Sequence, residues 1–280
     1  IKQARAQSGS DAGDVSEGIM GCVLPGNLGQ APARQASLKA GLPTSAGCTT
    51  INKVCGSGMK ALMLAHDLIK AGSATVVVAG GMESMTNAPH MVNARTGIRY
   101  GDGQLADHTA WDGLTNPYDG KAMGVFGEQC ADKYHFTREA QDAYAIASVG
   151  RAKAAIASGA FANEVVPVTV QGRKGAQDFV EDEQPSRSDV AKIPTLRAAF
   201  RKENGTITAA SSSSISDGAA AMIVLSADEA KKRGVTPLAR VVAHATHSQE
   251  PEWFTTAPAG AIQKVLDKAG WQASDVDLFE

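Results

Sequence analysis

The sequence predicts an α/β fold built from strand–helix–strand units, and three stretches carry that prediction. Residues 19–24 form an apolar, strand-like run closed by Pro-Gly, and residues 57–72 repeat apolar residues at helical spacing up to a terminal glycine. Residues 74–81, "ATVVVAGG", form a continuous apolar run, which is typical of a strand buried on both faces. Parallel strands need a crossover connection, so this order predicts a right-handed crossover unit.

Length, charge and cysteine count bound the class of protein. The chain has 280 residues, of which 43% are hydrophobic and 20% charged, which is enough for two globular units. A net charge of −2 argues against a nucleic-acid binder or a protein of anionic membranes. No apolar run reaches the roughly 18 residues of a membrane span. Four cysteines without a CxxC pair or a neighbouring histidine cluster predict a reducing compartment, the cytoplasm, and no disulfide framework or metal site.

The remaining elements follow from periodicity and turn residues. Residues 1–9 predict the tail of a helix, residues 30–41 a helix, and residues 48–55 a short extended segment. The predicted helix that starts near residue 57 has an apolar side formed by Met59, Leu62, Met63, His66 and Ile69.

A long central segment departs from this pattern. Residues 93–124 are rich in Gly, Asp and Asn without a period, which predicts an excursion over the surface. Two amphipathic helices are predicted at residues 127–136 and 138–159, and a polar loop at residues 180–194.

The last part resumes strands and helices. A buried strand is predicted at residues 217–226, followed by a helix at 227–234, and residues 238–280 repeat the strand–helix–strand order. The first residues have the pattern of the end of a helix, and the last residues, up to Glu280, have the pattern of an incomplete strand. Together they predict a piece of a longer protein. The predicted parts are residues 1–84 with 216–236, the excursion 85–215, and the start of a second half at 237–280.

Cys55, in "NKVCGSGMKA", is the candidate nucleophile. Most free cysteines are small hydrophobic residues of a core. Three features favour chemistry here: a place at the first turn of a helix, the flanking Gly56 and Gly58, and a strand-to-helix turn of the kind that presents nucleophiles. Nucleophilicity falls as a thiolate is stabilised, so the helix dipole alone gives little. A working site also needs an oxyanion hole and a base.

The sequence offers no clear base. Of the six histidines, His90 in "NAPHM" is the one expected to face the site, and none has an orienting carboxylate nearby in sequence. The other five are expected to be packed, exposed on the surface or structural: His66 is packed, His108 and His135 are exposed, and His244 and His247 are structural.

These motifs resemble the thiolase family. "NKVCGSGMKA" followed by "VVVAGGMESMTNAPHM" is similar to the family's nucleophile region, and the likeness continues through residues 112–124, 200–226 and 268–280. The resemblance implies the five-layered αβαβα thiolase fold from two related βαβ-type halves, the second incomplete here. It also implies a homodimer or homotetramer.

The resemblance implies a specific chemistry. In the family the cysteine of Val-Cys-Gly-Ser-Gly takes the acyl group, so Cys55 is expected to become an acyl-thioester. The implied reaction joins two acetyl-CoA to acetoacetyl-CoA and CoA, with CoA as a substrate and with no cofactor or metal. The family's histidine base and second cysteine are expected beyond residue 280. The implied residues for CoA and substrate binding are Ser213, Phe200, Leu114, Met123 and Ala210.

The chain departs from the family's pattern at three places. Ala210 stands where the family often has glycine, and Ala122 stands where short-chain enzymes often have histidine. Gln184 aligns with an arginine that helps hold CoA, for which Arg187 or Lys192 are candidate substitutes.

Other interpretations stay open. One is a broader-chain 3-ketoacyl-CoA thiolase of fatty-acid β-oxidation, and another is a condensing enzyme of the ketoacyl-synthase type that acts on carrier-protein thioesters. The motif "GGMESM" favours a thiolase over the latter. A third is acyl-CoA binding without catalysis, which is the behaviour expected of a polypeptide that lacks the base.

Overall fold

The computed structural model describes residues 1–173 and 175–280. The strands, in chain order, are β1 (Glu17–Gly21), β2 (Gly47–Ile51), β3 (Val76–Ser84), β4 (His90–Met91), β5 (Ala106–Asp107), β6 (Val168–Gly172), β7 (Gly175–Phe179) and β8 (Asp217–Leu225). The helices are α1 (Lys2–Gln7), α2 (Pro32–Lys39), α3 (Ser57–Lys70), α4 (Met123–Tyr134), α5 (Arg138–Ala157), α6 (Glu183–Arg187), α7 (Ala227–Arg233) and α8 (Ala257–Ala269).

The chain forms two compact units. Unit 1 comprises residues 1–121, 215–251 and 256–280, and unit 2 comprises residues 122–214 and 252–255. Unit 1 holds the main sheet with α1, α2, α3, α7 and α8, and unit 2 holds α4, α5, α6 and the hairpin of β6 and β7.

The main sheet has the strand order β2-β1-β3-β8. β1 pairs in parallel with both β2 and β3, so α2 and α3 each connect two parallel strands. β8 runs antiparallel to β3 and forms the edge. The predicted α/β class and its crossover connections are therefore confirmed.

β3 is the centre of the core. Val76, Val77 and Val78 are each 0% exposed. Val76 and Val78 pack into a cluster on one face of the sheet, whereas Val77 belongs to a second cluster on the other face. This confirms the prediction from the continuous apolar run, because side chains alternate between the faces of a strand.

α3 buries the predicted side only in part. Leu62 and Ile69 of that side pack against the core cluster, whereas Met59 is 66% exposed. The most buried residues are Ala61 and Ala65, both 0% exposed. Small side chains at i and i+4 let the helix axis come close to the sheet.

Several elements differ from the predictions. β8 forms as expected, but residues 217–221 are largely exposed because β8 is an edge strand. Residues 238–248 and 276–279 are not strands, since an extended segment becomes a strand only when its backbone pairs with a neighbour. Residues 180–194, predicted as a loop, contain α6 and a 3₁₀ turn.

A membrane-spanning helix was not expected, and the described helices agree, since none of them combines the length and the apolarity that crossing a bilayer requires.

The sheet pairing gives a stability prediction at Gly80. A Cβ at Gly80 would overlap the Ala220 carbonyl oxygen and lie 2.9 Å from the Cα of Ala221, both backbone atoms of β8. Gly80→Ala is expected to lower the free energy of unfolding by about 2 kcal/mol or more, as overpacking does. Urea denaturation measures the change.

Gly218→Ala is the matched control, because a Cβ at Gly218 on β8 meets no atom within 4 Å. This substitution is expected to change stability by less than about 0.5 kcal/mol. Equal effects of the two substitutions would contradict the assigned pairing.

Candidate active site

Cys55 lies on the turn between β2 and α3. Gly56 is the N-cap of α3, so the cysteine precedes the cap by one residue and does not lie in the first turn as predicted. Its side chain is exposed. The thiol is therefore accessible from solvent beside the positive dipole end of a helix. The amides of Gly56 and Ser57 are engaged in the turn, since they donate to the carbonyls of Lys53 at 3.2 Å and Val54 at 3.1 Å.

Ser57 closes this turn. Its hydroxyl oxygen accepts a hydrogen bond from the Lys53 amide at 2.8 Å and donates one to the Val54 carbonyl at 2.6 Å. The Asn52 side chain accepts from the Val54 amide at 2.8 Å. The backbone on the N-terminal side of Cys55 is thus held by short side-chain bonds, and Ser57 itself is 4% exposed.

Val54 has a left-handed backbone, with φ of +48°. A β-branched residue is rare in this conformation, which costs of order 1–3 kcal/mol. The conformation turns the chain sharply between β2 and α3 and leaves Cys55 facing outward. Sequence reasoning anticipated a strained turn here but not the residue that bears the strain.

Glycines bring α3 against the sheet. A Cβ at Gly21 would lie 2.8 Å from the Ser57 carbonyl carbon and 2.9 Å from the Gly58 nitrogen. A Cβ at Gly81 would lie 3.5 Å from the Gly58 Cα. The first turn of the helix therefore rests on the backbone of β1 and β3, and this contact sets the position of Cys55.

Glu83 anchors the loop that follows β1. Its carboxylate accepts hydrogen bonds from the amides of Val23 at 2.8 Å and Leu24 at 3.0 Å. Asn52 links this loop to the cysteine turn by donating to the Val23 carbonyl at 3.4 Å. The acidic residue of "GGMESM" therefore acts on the backbone beside the site.

The four cysteines, all within the described residues, differ in availability. Burial first, and the nearby Glu83 carboxylate second, raise the pKa of the Cys22 thiol to about 11. Cys22 is buried, and Cys48 and Cys130 are partly buried. Only Cys55 is exposed, so it is the thiol that a soluble thioester can reach.

His108 is buried, which corrects the prediction of a surface residue. Its Nε2 accepts a hydrogen bond from the Gly26 amide at 3.2 Å, and its Nδ1 lies 2.6 Å from Asp112 Oδ2. This pair anchors the segment Thr109–Leu114, which ends at the predicted substrate residue Leu114. Leu114 is 42% exposed.

The other histidines do not supply a base for Cys55. His90 is exposed on β4, and none of the described histidines shares a hydrogen bond with Cys55. His135 is exposed at the end of α4, as expected. His247 packs its ring against Gly260 of α8, which agrees with a structural role.

Phe200 and Met123 lie in unit 2. The ring of Phe200 covers Gly124, the residue after Met123 in the first turn of α4, so tightly that a Cβ at Gly124 would overlap it. Phe200 stays 38% exposed. Its ring therefore packs against α4 and remains partly exposed.

Glu128 of α4 is a buried residue that sequence reasoning missed. Its carboxylate is 1% exposed and accepts hydrogen bonds from the amides of Thr206 and Ile207, both at 3.0 Å, and from the Thr206 hydroxyl at 2.8 Å. A buried charge needs such partners. Glu128 therefore positions the segment that leads to Ala210 and Ser213.

The serine-rich loop of unit 2 is ordered by Thr208, which is 0% exposed. The Thr208 carbonyl accepts from the hydroxyls of Ser211 at 3.3 Å and Ser212 at 2.8 Å, and its side chain accepts from the Ala210 amide at 3.2 Å. Ser213 is exposed and makes no hydrogen bond to the described part of the chain. Among these serines, Ser213 is the one available to a ligand.

Arg187 and Lys192, the candidate CoA-binding cations, each form an ion pair with a nearby residue of unit 2. Arg187 pairs with Glu183, and the Nζ atom of Lys192 lies 3.4 Å from Asp189. Both side chains are highly exposed, so these pairs contribute little stability and do not prevent contact with an anionic ligand.

The sequence matches the family models of both thiolase domains. Residues 1–228 match the thiolase N-terminal domain, and residues 235–280 match the thiolase C-terminal domain.

Curated relatives support the same family. Acetyl-CoA acetyltransferase 2 of Arabidopsis thaliana is 47% identical over 283 residues, with all of this chain and 70% of that protein covered. The mitochondrial acetyl-CoA acetyltransferase of Homo sapiens is 49% identical over 282 residues, with all of this chain and 66% of that protein covered. The chain thus spans about two thirds of the length of these relatives.

A solved structure shows the same fold. The Acat5 thiolase from Ascaris suum, in complex with coenzyme A, superposes with a TM-score of 0.93 at 41% identity, with 99% of this chain and 71% of that chain covered. This likeness confirms the predicted thiolase fold.

The strained turn gives a second stability prediction. Val54→Asn is expected to raise the free energy of unfolding by about 1 kcal/mol, because asparagine tolerates the left-handed conformation better than valine. Thermal and urea unfolding measure the change.

Val92→Asn serves as the control, since Val92 is exposed to a similar extent, 45% against 49% for Val54, without a positive φ. It is expected to change stability by less than about 0.5 kcal/mol. If both substitutions have the same effect, Val54 does not store strain.

Proposed function

The chain belongs to the thiolase family, and from this premise we propose that it is an acyltransferase that moves acyl groups between CoA thioesters through Cys55. The proposed reaction is that of an acetyl-CoA C-acetyltransferase, in which two acetyl-CoA give acetoacetyl-CoA and CoA. The observation that carries the proposal is the exposed Cys55 thiol, held at the N-terminal end of α3 by a strained, hydrogen-bonded turn.

The first half-reaction is thioester exchange. Cys55 Sγ attacks the acetyl carbon, the new Sγ–C bond forms, the bond from carbon to the CoA sulfur breaks, and the thiol proton ends on the departing CoA. In the second half-reaction the α-carbon of another acetyl-CoA, after losing a proton to a base, attacks the acyl carbon. The new C–C bond forms as the Sγ–C bond breaks, and the proton taken by the base ends on the Cys55 sulfur.

The N-terminal end of α3 suits the charge that develops on the thioester oxygen. A helix has a positive dipole end at its N-terminus, and Gly56, the N-cap of α3, adds no side chain beside the thiol. The dipole would act on the acyl group carried by Cys55.

We propose that CoA is held as a substrate, without a resident cofactor. Phe200 offers a partly exposed aromatic ring for the adenine, and Ser213 offers an exposed hydroxyl. Leu114 and Met123 are proposed to contact the acyl part. The solved relative from Ascaris suum is in complex with coenzyme A, which supports this ligand class.

Metabolic setting and assembly are further parts of the proposal. All four cysteines are free thiols, which agrees with a reducing compartment, and we propose the cytoplasm although some relatives are named mitochondrial. We also propose a homodimer or homotetramer, small CoA thioesters as the only partners, and no binding to nucleic acids or membranes.

A second candidate function is thiolysis of longer 3-ketoacyl-CoA, as in fatty-acid β-oxidation. Ala122 is the N-cap of α4 directly before Met123, and its methyl side chain cannot donate a hydrogen bond to a short acyl group. The small side chain also leaves space for a longer one.

Acylation of Cys55 is the direct test. After incubation with acetyl-CoA, we expect the mass of one acetyl group on the peptide that contains Cys55, with release of CoA. Cys55→Ser should remove both signals, whereas Cys48→Ser should keep them, because Cys48 is partly buried and donates to the Ala46 carbonyl. Peptide mass spectrometry and a thiol assay read the two signals.

An acetyl group that persists in Cys55→Ser, or none in the wild-type chain, would contradict the proposal. Comparing acetoacetyl-CoA with longer 3-ketoacyl-CoA as donors separates the two candidate functions. The donor that acylates Cys55 faster identifies the preferred chain length.

A further inference from the structure

Three potential metal ligands meet away from Cys55, within unit 1. His66 and Asp67 lie near the C-terminal end of α3, and His244 lies in the extended segment that precedes α8. Their ligand atoms all lie within 4.8 Å of one another. The contact is long-range in sequence, since 177 residues separate Asp67 from His244.

The two imidazoles converge on a single carboxylate oxygen. Asp67 Oδ1 lies 3.1 Å from His66 Nδ1 and 2.8 Å from His244 Nε2. The two rings are 5.1 Å apart between centroids and nearly perpendicular, at 86°. One nitrogen of each imidazole therefore lies beside Asp67 Oδ1, as in a metal site with two histidines and one carboxylate.

The distances suit a small divalent ion. Zinc binds histidine nitrogen at about 2.0–2.1 Å and carboxylate oxygen at about 2.0–2.2 Å, which places tetrahedral donors about 3.4 Å apart. The present separations of 2.8 and 3.1 Å need only small side-chain rotations to reach this value. Asp67 is 53% exposed, which leaves a path for entry and room for water ligands.

The ligand types also suit a cation. Asp67 supplies a carboxylate, and each imidazole ring has a nitrogen that can act as a metal ligand. The nearby Lys268 ammonium donates to the His244 carbonyl at 3.0 Å, which orients that residue.

We propose that His66, Asp67 and His244 form a binding site for a divalent transition metal of the zinc class. Both histidines supply neutral nitrogen ligands, Asp67 supplies the negative oxygen, and water completes the coordination. Imidazole nitrogen with a carboxylate selects such ions over Mg²⁺ or Ca²⁺, which prefer all-oxygen sites. Binding would tie the end of α3 to the segment around His244.

The sequence predicted no metal site because the cysteines have no CxxC pair and no histidine cluster beside them. His244 is far from His66 in the sequence, so spacing contained no signal of this cluster.

Metal titration of the 280-residue chain tests the site. In a Cys55→Ser background, which removes the exposed thiol as a ligand, Zn²⁺ is titrated by calorimetry and Co²⁺ by its visible absorption. We expect one equivalent to bind, with an affinity at least about tenfold lower in Asp67→Asn and in His244→Ala. His90→Ala is the control, since His90 is an exposed histidine of unit 1 outside the cluster.

Circular dichroism of each variant establishes that it folds, and Asp67→Asn, which keeps the shape of the side chain, decides the result if His244→Ala does not fold. Saturable binding that Asp67→Asn weakens and His90→Ala preserves supports the proposal. No stoichiometric binding to the parent chain, or equal binding to the parent and Asp67→Asn, would overturn it.

Discussion

The contact between the first turn of α3 and the glycine backbone of the sheet determines the rest of the site. Gly21 allows Ser57 and Gly58 to approach β1 more closely than a side chain would permit, and Gly81 of β3 lies against Gly58 at ordinary contact distance. Because the helix starts directly on the sheet, the preceding turn must be short and strained, and the cysteine on it points to solvent. Close packing behind the turn makes this arrangement rigid, since interiors at native density resist displacement. A nucleophile gains from such fixed placement more than from a shifted pKa.

Buried and partly buried polar groups hold the loops around the sheet and helices in the same way. Glu83 holds the loop after β1, the His108 ring holds the segment before Leu114, and Glu128 holds the segment that leads to Ala210. Each group is satisfied by backbone amides or by a charged partner, so its burial does not carry the penalty of an unpaired polar atom. Irregular segments are where ligand contacts usually lie, and a rigid scaffold positions them.

Much of this could be predicted from the sequence, and the failures share one cause. The continuous run "VVVAGG" gave β3 correctly, and glycines beside Cys55 indicated a nucleophile turn, because these signals are local. The burial of His108 and the exposure of β8 depend on partners far along the chain, so composition misjudged both. Segments 238–248 and 276–279 have strand-like patterns without a strand beside them, and periodicity cannot detect a missing partner.

The central claim is that the contact between α3 and the sheet positions the Cys55 thiol. The most direct test compares the rate at which acetyl-CoA acetylates Cys55 in Gly21→Ala and in Gly58→Ala. A Cβ at Gly21 meets the Ser57 and Gly58 backbone at 2.8 and 2.9 Å, so the first turn of α3 must move, whereas a Cβ at Gly58 meets ordinary contacts at 3.7 Å or more. We expect the acetylation rate to fall by about tenfold or more in Gly21→Ala and to stay within about threefold of wild type in Gly58→Ala. Equal rates in a folded Gly21→Ala protein would show that the helix–sheet contact does not position the thiol.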